Sequence, residues 1–298
     1  MKKILHCALL LLFISCSQNK KNTLTVFHAG SLSYPVKELK SNFLVQHPHD
    51  QILTENVGSL ECIRKITDLQ KPCDLFLSAD YRVIEDRLIP QFASWNLIFA
   101  TNEIVVAYNP QSKYANEIKE DNWWEILARP DVEIGRSDPG MDPCGYHTVI
   151  VTKLADEQFA QKVLSRSEKN IRAKEVDLLT MLESHALDYL FIYKSVAQQH
   201  RLPYITLPKE INLGYPEYDY SYKTAYAVIA GKKPGTTDTI YGEPIYYSLT
   251  IPTHAQNPVL AQQFVDFITS EKGQYIITQK AKLTAIKPFF SEKSKNKK

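Results

Sequence analysis

The stretch LTVFHAGSLSYPVKELKSNFL, residues 24–44, carries the pattern that decides the fold. It opens with a short apolar run of β-prone residues, which the small residues Ala29, Gly30 and Ser31 bring to an end. Pro35 then stands in the first turn of a predicted helix, whose apolar residues recur at helical spacing. A strand, a turn of small residues and a helix form the opening unit of an α/β sheet.

The same unit recurs along the chain. A predicted strand over residues 51–56 leads through Val57-Gly58-Ser59 into a helix, and a strand over 74–77 leads into Ser78-Ala79-Asp80. A second series begins near residue 103. It comprises strands at 103–108, 133–135 and 187–193, helices at 123–128, 146–164 and from 175, a hairpin of 224–229 with 245–251, and a last helix over 258–277. We therefore predict two α/β units, with the chain returning at its end to complete the first.

The two ends of the chain have the patterns of a leader and a tail. Two lysines precede a mostly apolar run over residues 4–14 that is too short to span a bilayer, as in a secretory signal. Residues 13–16, FISC, resemble a bacterial lipobox, in which Cys16 is acylated; an ordinary signal cut slightly further on is the alternative. We predict a lipoprotein signal peptide over 1–15, a polar tether over 16–22 and a flexible basic tail over 291–298.

Charge and cysteine content exclude several classes of protein. Removal of residues 1–15 would take away two lysines and no acids, leaving 33 basic and 33 acidic residues, so the mature chain is formally neutral and offers no basic field for nucleic acid. Cys62, Cys73 and Cys144 would then remain as an odd set of thiols. We expect small buried thiols, with a single Cys62–Cys73 bridge as the alternative.

Two of the predicted turns have the same form, AGSL at 29–32 and VGSL at 57–60. A serine in such a turn presents a hydroxyl and free backbone N–H groups at the positive end of a helix, which suits an anion. Serine is also the usual helix N-cap, so a single turn of this kind carries little information. In open α/β sheets ligands lie beyond the carboxyl ends of the strands, where these turns are.

Five segments, in this order, resemble the archaeal-type tungstate/molybdate-binding proteins that serve ABC transporters. They are HAGSL at 28–32, GSLECIRKITDLQKPCDLFLSADY at 58–81, GRSDPGMDPCGYHT at 135–148, IRAKEVDLL at 171–179 and YKSVAQQHRLPYITLPKEINL at 193–213. The resemblance runs from about residue 24 to 290. It implies a two-lobed type II periplasmic-binding-protein fold of mixed, mainly parallel sheets with helices on both faces.

The resemblance also implies a division into lobes, a ligand and partners. Lobe 1 would comprise residues 23–103 and 251–290, and lobe 2 residues 104–250, with tungstate or molybdate in the cleft between them. The protein would be an extracytoplasmic, membrane-anchored monomer that delivers the oxyanion to an ABC permease. It would need no cofactor and would not be an enzyme.

The ligand-binding residues implied by the resemblance fall on the turns singled out above. They are Gly30, Ser31, Ser59, Asp142, Pro143, Cys144, Glu175 and Tyr193. The sequence departs from the family pattern at three positions: His147 stands where arginine is usual, Ala173 where proline is usual, and Ile192 where an acid is common. His147 and Ile192 remove charge beside the site.

Two acids in an anion site need a physical explanation. A carboxylate about 4 Å from an anion repels each unit of charge by roughly 4 kcal/mol at an effective dielectric near 20. Either the carboxyls are protonated and donate hydrogen bonds, or their oxygens bond the central metal; molybdenum and tungsten are hard ions with room for more oxygen ligands, unlike sulfur or phosphorus. The resemblance implies that Asp142 and Glu175 bond the metal in an octahedral centre.

Some of the singled-out residues also have a simpler interpretation that involves no ligand. An acid such as Glu175 at a helix start gains from the helix dipole alone. Tyr193 ends an apolar strand as a core tyrosine would. Asp138, before Pro139, is interpreted as a turn residue.

Three other functions fit parts of the sequence. Cys144 and His147 could form a catalytic thiolate pair in a hydrolase, but no nucleophile motif surrounds them. The same two residues are too few to hold zinc. A ferric-ion-binding protein of the same fold is the main alternative, because the paired tyrosines Tyr246 and Tyr247 suit Fe³⁺.

Overall fold

The structure, a computed structural model, describes residues 22–231 and 235–295. The predicted signal peptide, the tether up to residue 21 and residues 296–298 of the predicted tail lie outside these residues. The strands of the described residues form two sheets and one separate two-stranded ribbon. The expected mixed α/β architecture is thereby confirmed.

The first sheet has six strands in the order β13-β4-β12-β3-β1-β2. They are β1 (Thr23–His28), β2 (Gln51–Asn56), β3 (Leu75–Ser78), β4 (Leu97–Thr101), β12 (Tyr246–Thr250) and β13 (Thr284–Phe290). β1 pairs in parallel with β2 and β3, whereas the pairs β12–β3, β12–β4 and β13–β4 are antiparallel. The parallel half of this sheet carries the two Gly-Ser turns, which follow β1 and β2.

The second sheet has five strands in the order β7-β6-β8-β5-β9, and β10 and β11 form the ribbon. These strands are β5 (Ile104–Tyr108), β6 (Ile134–Ser137), β7 (Ile171–Arg172), β8 (Tyr189–Tyr193), β9 (Tyr204–Thr206), β10 (Tyr226–Ala230) and β11 (Thr237–Tyr241). β6 is parallel to β7 and β8, and β5 is antiparallel to β8 and β9. Each sheet is thus mixed, with its parallel pairs grouped on one side.

Twelve α-helices connect or flank these strands within the described residues. They are α1 (Ser33–Gln46), α2 (Ser59–Thr67), α3 (Tyr81–Arg87), α4 (Trp123–Leu127), α5 (Pro143–Ala155), α6 (Glu157–Ser167), α7 (Glu175–Glu183), α8 (Lys194–Gln199), α9 (Asp219–Tyr222), α10 (Pro258–Thr269), α11 (Glu271–Tyr275) and α12 (Glu292–Lys295). Short 3₁₀ turns occupy Gly30–Leu32, Glu168–Asn170 and Pro216–Tyr218, and a π turn occupies Ile276–Lys280. None of the described helices is long and apolar enough to cross a membrane.

Each sheet has its own aromatic core. In the first, Phe43 of α1 packs edge-on against Phe264 of α10 at 5.0 Å between ring centroids, which ties the returning chain to the opening unit. In the second, Trp123 of α4 lies 5.2 Å from the ring of Phe159 and 6.4 Å from that of Phe191. We call the first sheet with its helices the first lobe, and the second sheet with its helices and the ribbon the second lobe.

Two segments carry the chain between the sheets, one between β4 and β5 and one between β11 and β12. They are bonded to each other: the Asn102 N–H and the Thr101 hydroxyl both donate to the carbonyl oxygen of Ile245, at 3.4 and 2.7 Å. The Asn102 side-chain amide donates to Ser195 Oγ in the second lobe (2.8 Å) and to the Tyr247 hydroxyl in the first (3.2 Å). The two crossing segments are therefore hydrogen-bonded to each other and to both lobes, and we call this junction the pivot.

Four sequence predictions about elements and boundaries are wrong. The last helix, predicted over residues 258–277, ends at Thr269, and α11 begins after Ser270. Strand β10 pairs with β11, not with residues 245–251. Those residues form β12, which is buried in the first sheet, so the predicted limit of lobe 2 at residue 250 is too late. The helix predicted over 146–164 is two helices, because the Asp156 carboxylate accepts a hydrogen bond from the Phe159 N–H (2.8 Å) and caps a new helix.

The predicted flexible tail begins with ordered structure. Ser291 is buried, its N–H donates to the carbonyl oxygen of Asn96 (3.0 Å), and helix α12 follows it. The prediction of buried thiols is confirmed for the described residues: Cys62, Cys73 and Cys144 are all buried and unpaired. The alternative Cys62–Cys73 bridge is absent.

Candidate functional site

The Gly-Ser turns of the first lobe and the acids of the second lobe meet in one cavity of about 320 Å³. Its lining includes Gly30, Gly58, Asp142, Ala173 and Glu175 among the positions that the sequence singled out. A methyl group added to Gly30 would lie 3.6 Å from Glu175 Cβ and 4.0 Å from Asp142 Oδ2. The two acids therefore approach a turn of the opposite lobe, as the cleft hypothesis requires.

Asp142 has one engaged and one open carboxylate oxygen. As the N-cap of α5, its Oδ1 accepts a hydrogen bond from the Cys144 N–H (2.8 Å), while Oδ2 faces the Gly30 turn. Pro143 occupies the first helical position, where a proline costs no hydrogen bond. The Cys144 amide, expected to bind the ligand, is therefore already used by Asp142.

Burial shifts the ionisation of both acids in the same direction. Desolvation raises the pKa of Asp142 to about 6, with Asp138 adding to the effect and the Cys144 N–H opposing it. Desolvation and the charge of Asp142 raise the pKa of Glu175 to about 8. At neutral pH the pair therefore carries about one negative charge instead of two.

The two predicted serines are buried and each accepts a hydrogen bond from the protein. The Ala79 N–H donates to Ser59 Oγ (3.1 Å), and the Tyr247 hydroxyl donates to Ser31 Oγ (2.9 Å). Neither serine hydroxyl has an acceptor of its own among residues 22–231 and 235–295. Among the predicted site residues, Ser31, Ser59, Pro143, Cys144 and Tyr193 lie behind the lining of the cavity and do not form part of it.

Backbone donors lie beside these hydroxyls. Gly30 begins a 3₁₀ turn and Ser59 begins α2, and first-turn N–H groups have no acceptor within their own helix. The Leu60 N–H, one residue further on, donates across the cleft to the Met141 carbonyl oxygen at 3.2 Å. The arrangement places several donors around two acids, one of which is largely protonated.

Tyr193 is completely buried at the end of β8. Its hydroxyl lies 3.0 Å from His147 Nδ1, and its ring lies 5.7 Å from that of Tyr247. Tyr247 was not among the predicted ligand-binding residues, although it links the pivot residue Asn102 to Ser31. Ile192, the neighbouring departure from the family pattern, is a core residue of β8.

The remaining lining of the cavity was not anticipated from the sequence. It comprises Ser33, Tyr34, Asn56, Lys174, Val176, Leu179, Gln199 and His200, whereas Val57, which also lines the cavity, belongs to the second of the predicted turns. Most of them belong to helix starts and strand ends adjacent to the predicted turns. Their position next to the predicted turns is the feature of the sequence that could have identified them.

The structure gives no support to the catalytic and metal alternatives. The Cys144 thiol donates to the Phe191 carbonyl oxygen (3.9 Å), and burial raises its pKa well above the usual range, so it is not a thiolate. The described residues hold no cluster of three or more His, Cys, Asp or Glu side chains suited to a metal ion.

The tyrosine pair does not converge on a common point. Tyr247 is buried and bonded to Ser31, whereas Tyr246 packs against Tyr81 at 6.0 Å between ring centroids. Burial raises the pKa of both phenols, which disfavours the phenolates that Fe³⁺ requires.

Residues 24–280 match the family described as bacterial extracellular solute-binding protein. The chain belongs to this family. An uncharacterized solute-binding protein of Petrotoga mobilis is 46% identical over 262 residues, which cover 86% of this chain and 82% of the relative. The molybdate/tungstate-binding protein WtpA of Pyrococcus abyssi is 40% identical over a 316-residue alignment, which covers 93% of this chain and 91% of the relative.

Among solved structures, the periplasmic molybdate-binding protein of Azotobacter vinelandii superimposes with a TM-score of 0.66 at 18% sequence identity. The superposition covers 88% of this chain and 99% of that one. The fold is therefore that of the type II periplasmic binding proteins. Family membership makes the cleft between the lobes the place to seek the bound solute.

Proposed function

We propose that this solute-binding protein captures molybdate or tungstate in the cavity between its lobes. The observation that carries the proposal is the approach of Asp142 and Glu175 to a turn of the opposite lobe that also supplies free hydroxyl and amide donors. Donors suit any oxyanion, but two acids suit only one whose central atom accepts further oxygen ligands. The 40% identity to the molybdate/tungstate-binding protein of Pyrococcus abyssi supports this choice of ligand.

In this proposal hydrogen-bond donors bind the oxygens of the oxyanion, and carboxylates bind its central metal atom. Ser31 and Ser59 donate their free hydroxyl protons, together with first-turn amides at Gly30 and Ser59. Asp142 Oδ2 and a Glu175 carboxylate oxygen bond the metal and make its coordination octahedral. A bond between a carboxylate oxygen and the metal replaces a repulsion of roughly 4 kcal/mol per pair of charges. Sulfate cannot bind in this way, because its sulfur atom accepts no further ligands.

Pro143, Cys144 and Tyr193 are assigned a supporting position. The Cys144 amide fixes Asp142 Oδ1, which leaves Oδ2 as the oxygen directed to the ligand. Tyr193 lies behind the lining of the cavity, where its hydroxyl is 3.0 Å from His147 Nδ1. The raised pKa of Glu175 means that its proton must leave the carboxyl before that oxygen bonds the metal.

The proposal extends to delivery. The family description places the protein outside the cytoplasm. We propose that Cys16 carries a lipid anchor, that the mature protein is a monomer without cofactor or catalytic activity, and that the closed form delivers its oxyanion to an ABC permease. If Cys16 carries a lipid anchor, the protein should be found in the membrane fraction of cells and should be released from it only by detergent. The Cys16→Ser variant should not be attached to the membrane.

Calorimetry and X-ray absorption test the site directly. We expect Asp142→Asn and Glu175→Gln each to weaken tungstate binding at least tenfold, about 1.4 kcal/mol. Asparagine can still cap α5, so Asp142→Asn removes the ligand oxygen and not the helix. The absorption edge of tungsten in the wild-type complex should indicate octahedral coordination.

Matched controls exist for both acids. Asp138 lies in the same loop, where its Oδ1 accepts from the Gly140 N–H (2.7 Å), and Asp177 lies in the first turn of the same helix as Glu175. Asp138→Asn and Asp177→Asn should leave affinity within threefold of wild type. Wild-type affinity in both site variants, or a tetrahedral tungsten centre in the complex, would refute direct ligation.

A further inference from the structure

A buried polar cluster lies between the lobes, apart from the cavity just described. Asp80, the N-cap of α3 in the first lobe, accepts hydrogen bonds on Oδ2 from the Tyr146 hydroxyl (2.7 Å) and from Arg82 (3.0 Å). His147 Nε2 lies 3.5 Å from the same oxygen. Tyr146 and His147 belong to α5 of the second lobe, so one carboxylate contacts both lobes.

Arg82 makes a second contact across the same boundary. Its guanidinium donates to the carbonyl oxygen of Tyr241 in the ribbon (2.6 Å) and lies 3.7 Å from Glu243 in a crossing segment. The Tyr81 hydroxyl donates to the same Glu243 carboxylate at 2.8 Å. Three parts of the chain outside the first sheet therefore converge on the start of α3.

The burial of this cluster depends on contact between the lobes. The side chains of Asp80 and His147 are 3% and 1% exposed, and the ring of Tyr146 is buried. Arg82 and neighbouring donors hold the pKa of Asp80 well below its usual range although burial alone would raise it, so Asp80 is an anion that only accepts hydrogen bonds. Separation of the lobes would remove the Tyr146 hydroxyl and admit water to this anion.

The cluster and the proposed ligand site are joined by a single turn of helix. Asp142 caps α5, and Tyr146 and His147 follow four and five residues later. His147 also contacts Tyr193 through Nδ1. A displacement of α5 relative to the first lobe therefore moves Asp142 and the Tyr146–Asp80 bond together.

We infer that Asp80, Arg82, Tyr146 and His147 form an interlobe lock that holds the cleft closed and sets the rate at which the bound solute leaves. The interlobe lock needs no ligand for its own bonds, so it stabilises the closed form of the empty protein as well. It acts on closure and does not contact the solute. Only the kinetic part of this inference rests on the proposed function.

Two measurements on Tyr146→Phe test the interlobe lock. This change removes one hydroxyl and keeps the buried ring. Small-angle scattering of the ligand-free protein should show a larger radius of gyration than wild type, because the open form gains population. In stopped-flow experiments with tungstate, the dissociation rate should rise about tenfold, and the association rate should not fall, because more of the empty protein is open to the solute.

Tyr189→Phe is the matched control, because the Tyr189 hydroxyl donates to the Lys113 carbonyl oxygen (2.6 Å) within the second lobe. It should leave both scattering and dissociation unchanged. Asp80→Asn, which keeps an acceptor for the Arg82 N–H, should reproduce the Tyr146→Phe effects. The inference is overturned if Tyr146→Phe matches Tyr189→Phe in ligand-free scattering. If scattering changes but tungstate binds neither protein, the interlobe lock stands and the proposed ligand is wrong.

Discussion

At the scale of single residues, the proposed site depends on side chains that use one hydrogen-bonding position within the protein and would use another for the ligand. Ser31 and Ser59 accept from the protein and keep their protons, while Asp142 gives one oxygen to the Cys144 amide and keeps the other. A side chain fixed on one side and open on the other binds a ligand without first losing conformational freedom.

Glu175 should make the ligand-free protein less stable as pH rises. Its pKa in the folded state is about 8 against an ordinary 4.5, so between these values the folded state holds a proton that the unfolded state has lost. Stability conferred by that proton is complete below pH 4.5 and lost as pH rises towards 8.

The melting temperature of Glu175→Gln, measured across this range, should match that of wild type near pH 4.5. It should exceed wild type increasingly up to pH 8. A difference that does not vary with pH would contradict the assigned burial of the carboxyl. Asp177→Gln, an exposed acid of the same helix turn, serves as control.

The sequence predicted the residues that follow strands and missed those that act across long sequence separations. Gly30 follows β1 of the first sheet, and Asp142 and Glu175 follow β6 and β7 of the second. Each could be recognised as a turn residue at the end of a strand, and the family resemblance implied that the three share one site. The Tyr247–Ser31 bond joins residues 216 positions apart, and no local pattern announces it. The Tyr146–Asp80 bond was missed for the same reason.

At the scale of elements, the start of α2 borders the proposed site and also makes contact between the lobes. α2 begins at Ser59 beside the proposed ligand, yet its next N–H donates to Met141 of the second lobe. Arg64 of the same helix donates to the Gly140 carbonyl oxygen at 3.2 Å. The loop before α5 and the start of α2 therefore close against each other.

Gly58→Ala should hinder this closure. Its backbone angles, φ −60° and ψ 149°, suit alanine, but the added methyl would lie 2.2 Å from the Met141 carbonyl oxygen of the opposite lobe. We expect at least tenfold weaker tungstate binding in calorimetry, with the melting temperature of the ligand-free protein within about 2 °C of wild type.

Gly140→Ala is a milder change in the facing loop, where the methyl would lie 3.3 Å from Asp138 Oδ1. It should bind nearly as wild type does. Unchanged affinity in Gly58→Ala would mean that the ligand is held in a more open arrangement than this one.

Element boundaries were predictable where a cap or turn residue marks them and not where two strands compete for one partner. The run over residues 245–251 looked like the second strand of a hairpin because it is apolar and follows a turn. In the structure it lies between β3 and β4, and the weaker alternating run of β11 takes the hairpin position. Burial between two strands of the first sheet outweighs proximity along the chain.

At the scale of the whole molecule, two lobes, each built on its own sheet, are joined by two crossing segments and by the interlobe hydrogen bonds described above. A ligand that touches both lobes binds the closed native state and not the unfolded chain. Ligand binding is therefore expected to stabilise the entire fold by mass action.

Tungstate at one hundred times its dissociation constant should add about 2.7 kcal/mol to the free energy of unfolding. Calorimetric melting should show this as an upward shift that increases with tungstate concentration. Sulfate at the same concentrations should produce a much smaller shift, because its centre cannot accept the two acids. Equal shifts of the melting temperature with both anions would indicate that the site recognises only the charge of the anion.

The bridging amide of Asn102 has a consequence for how the cleft empties. Its oxygen accepts from the Glu103 and Ser195 N–H groups, so its nitrogen is committed to donate, and it donates to a side chain in each lobe. A rotation of one lobe against the other that breaks the Asn102–Tyr247 bond would remove a hydrogen-bond donor from the Tyr247 phenol. Because that phenol donates to Ser31 Oγ, opening of the lobes would also release the serine that the proposed site uses as a donor, so that widening of the cleft and weakening of its hold on the anion would occur in one motion.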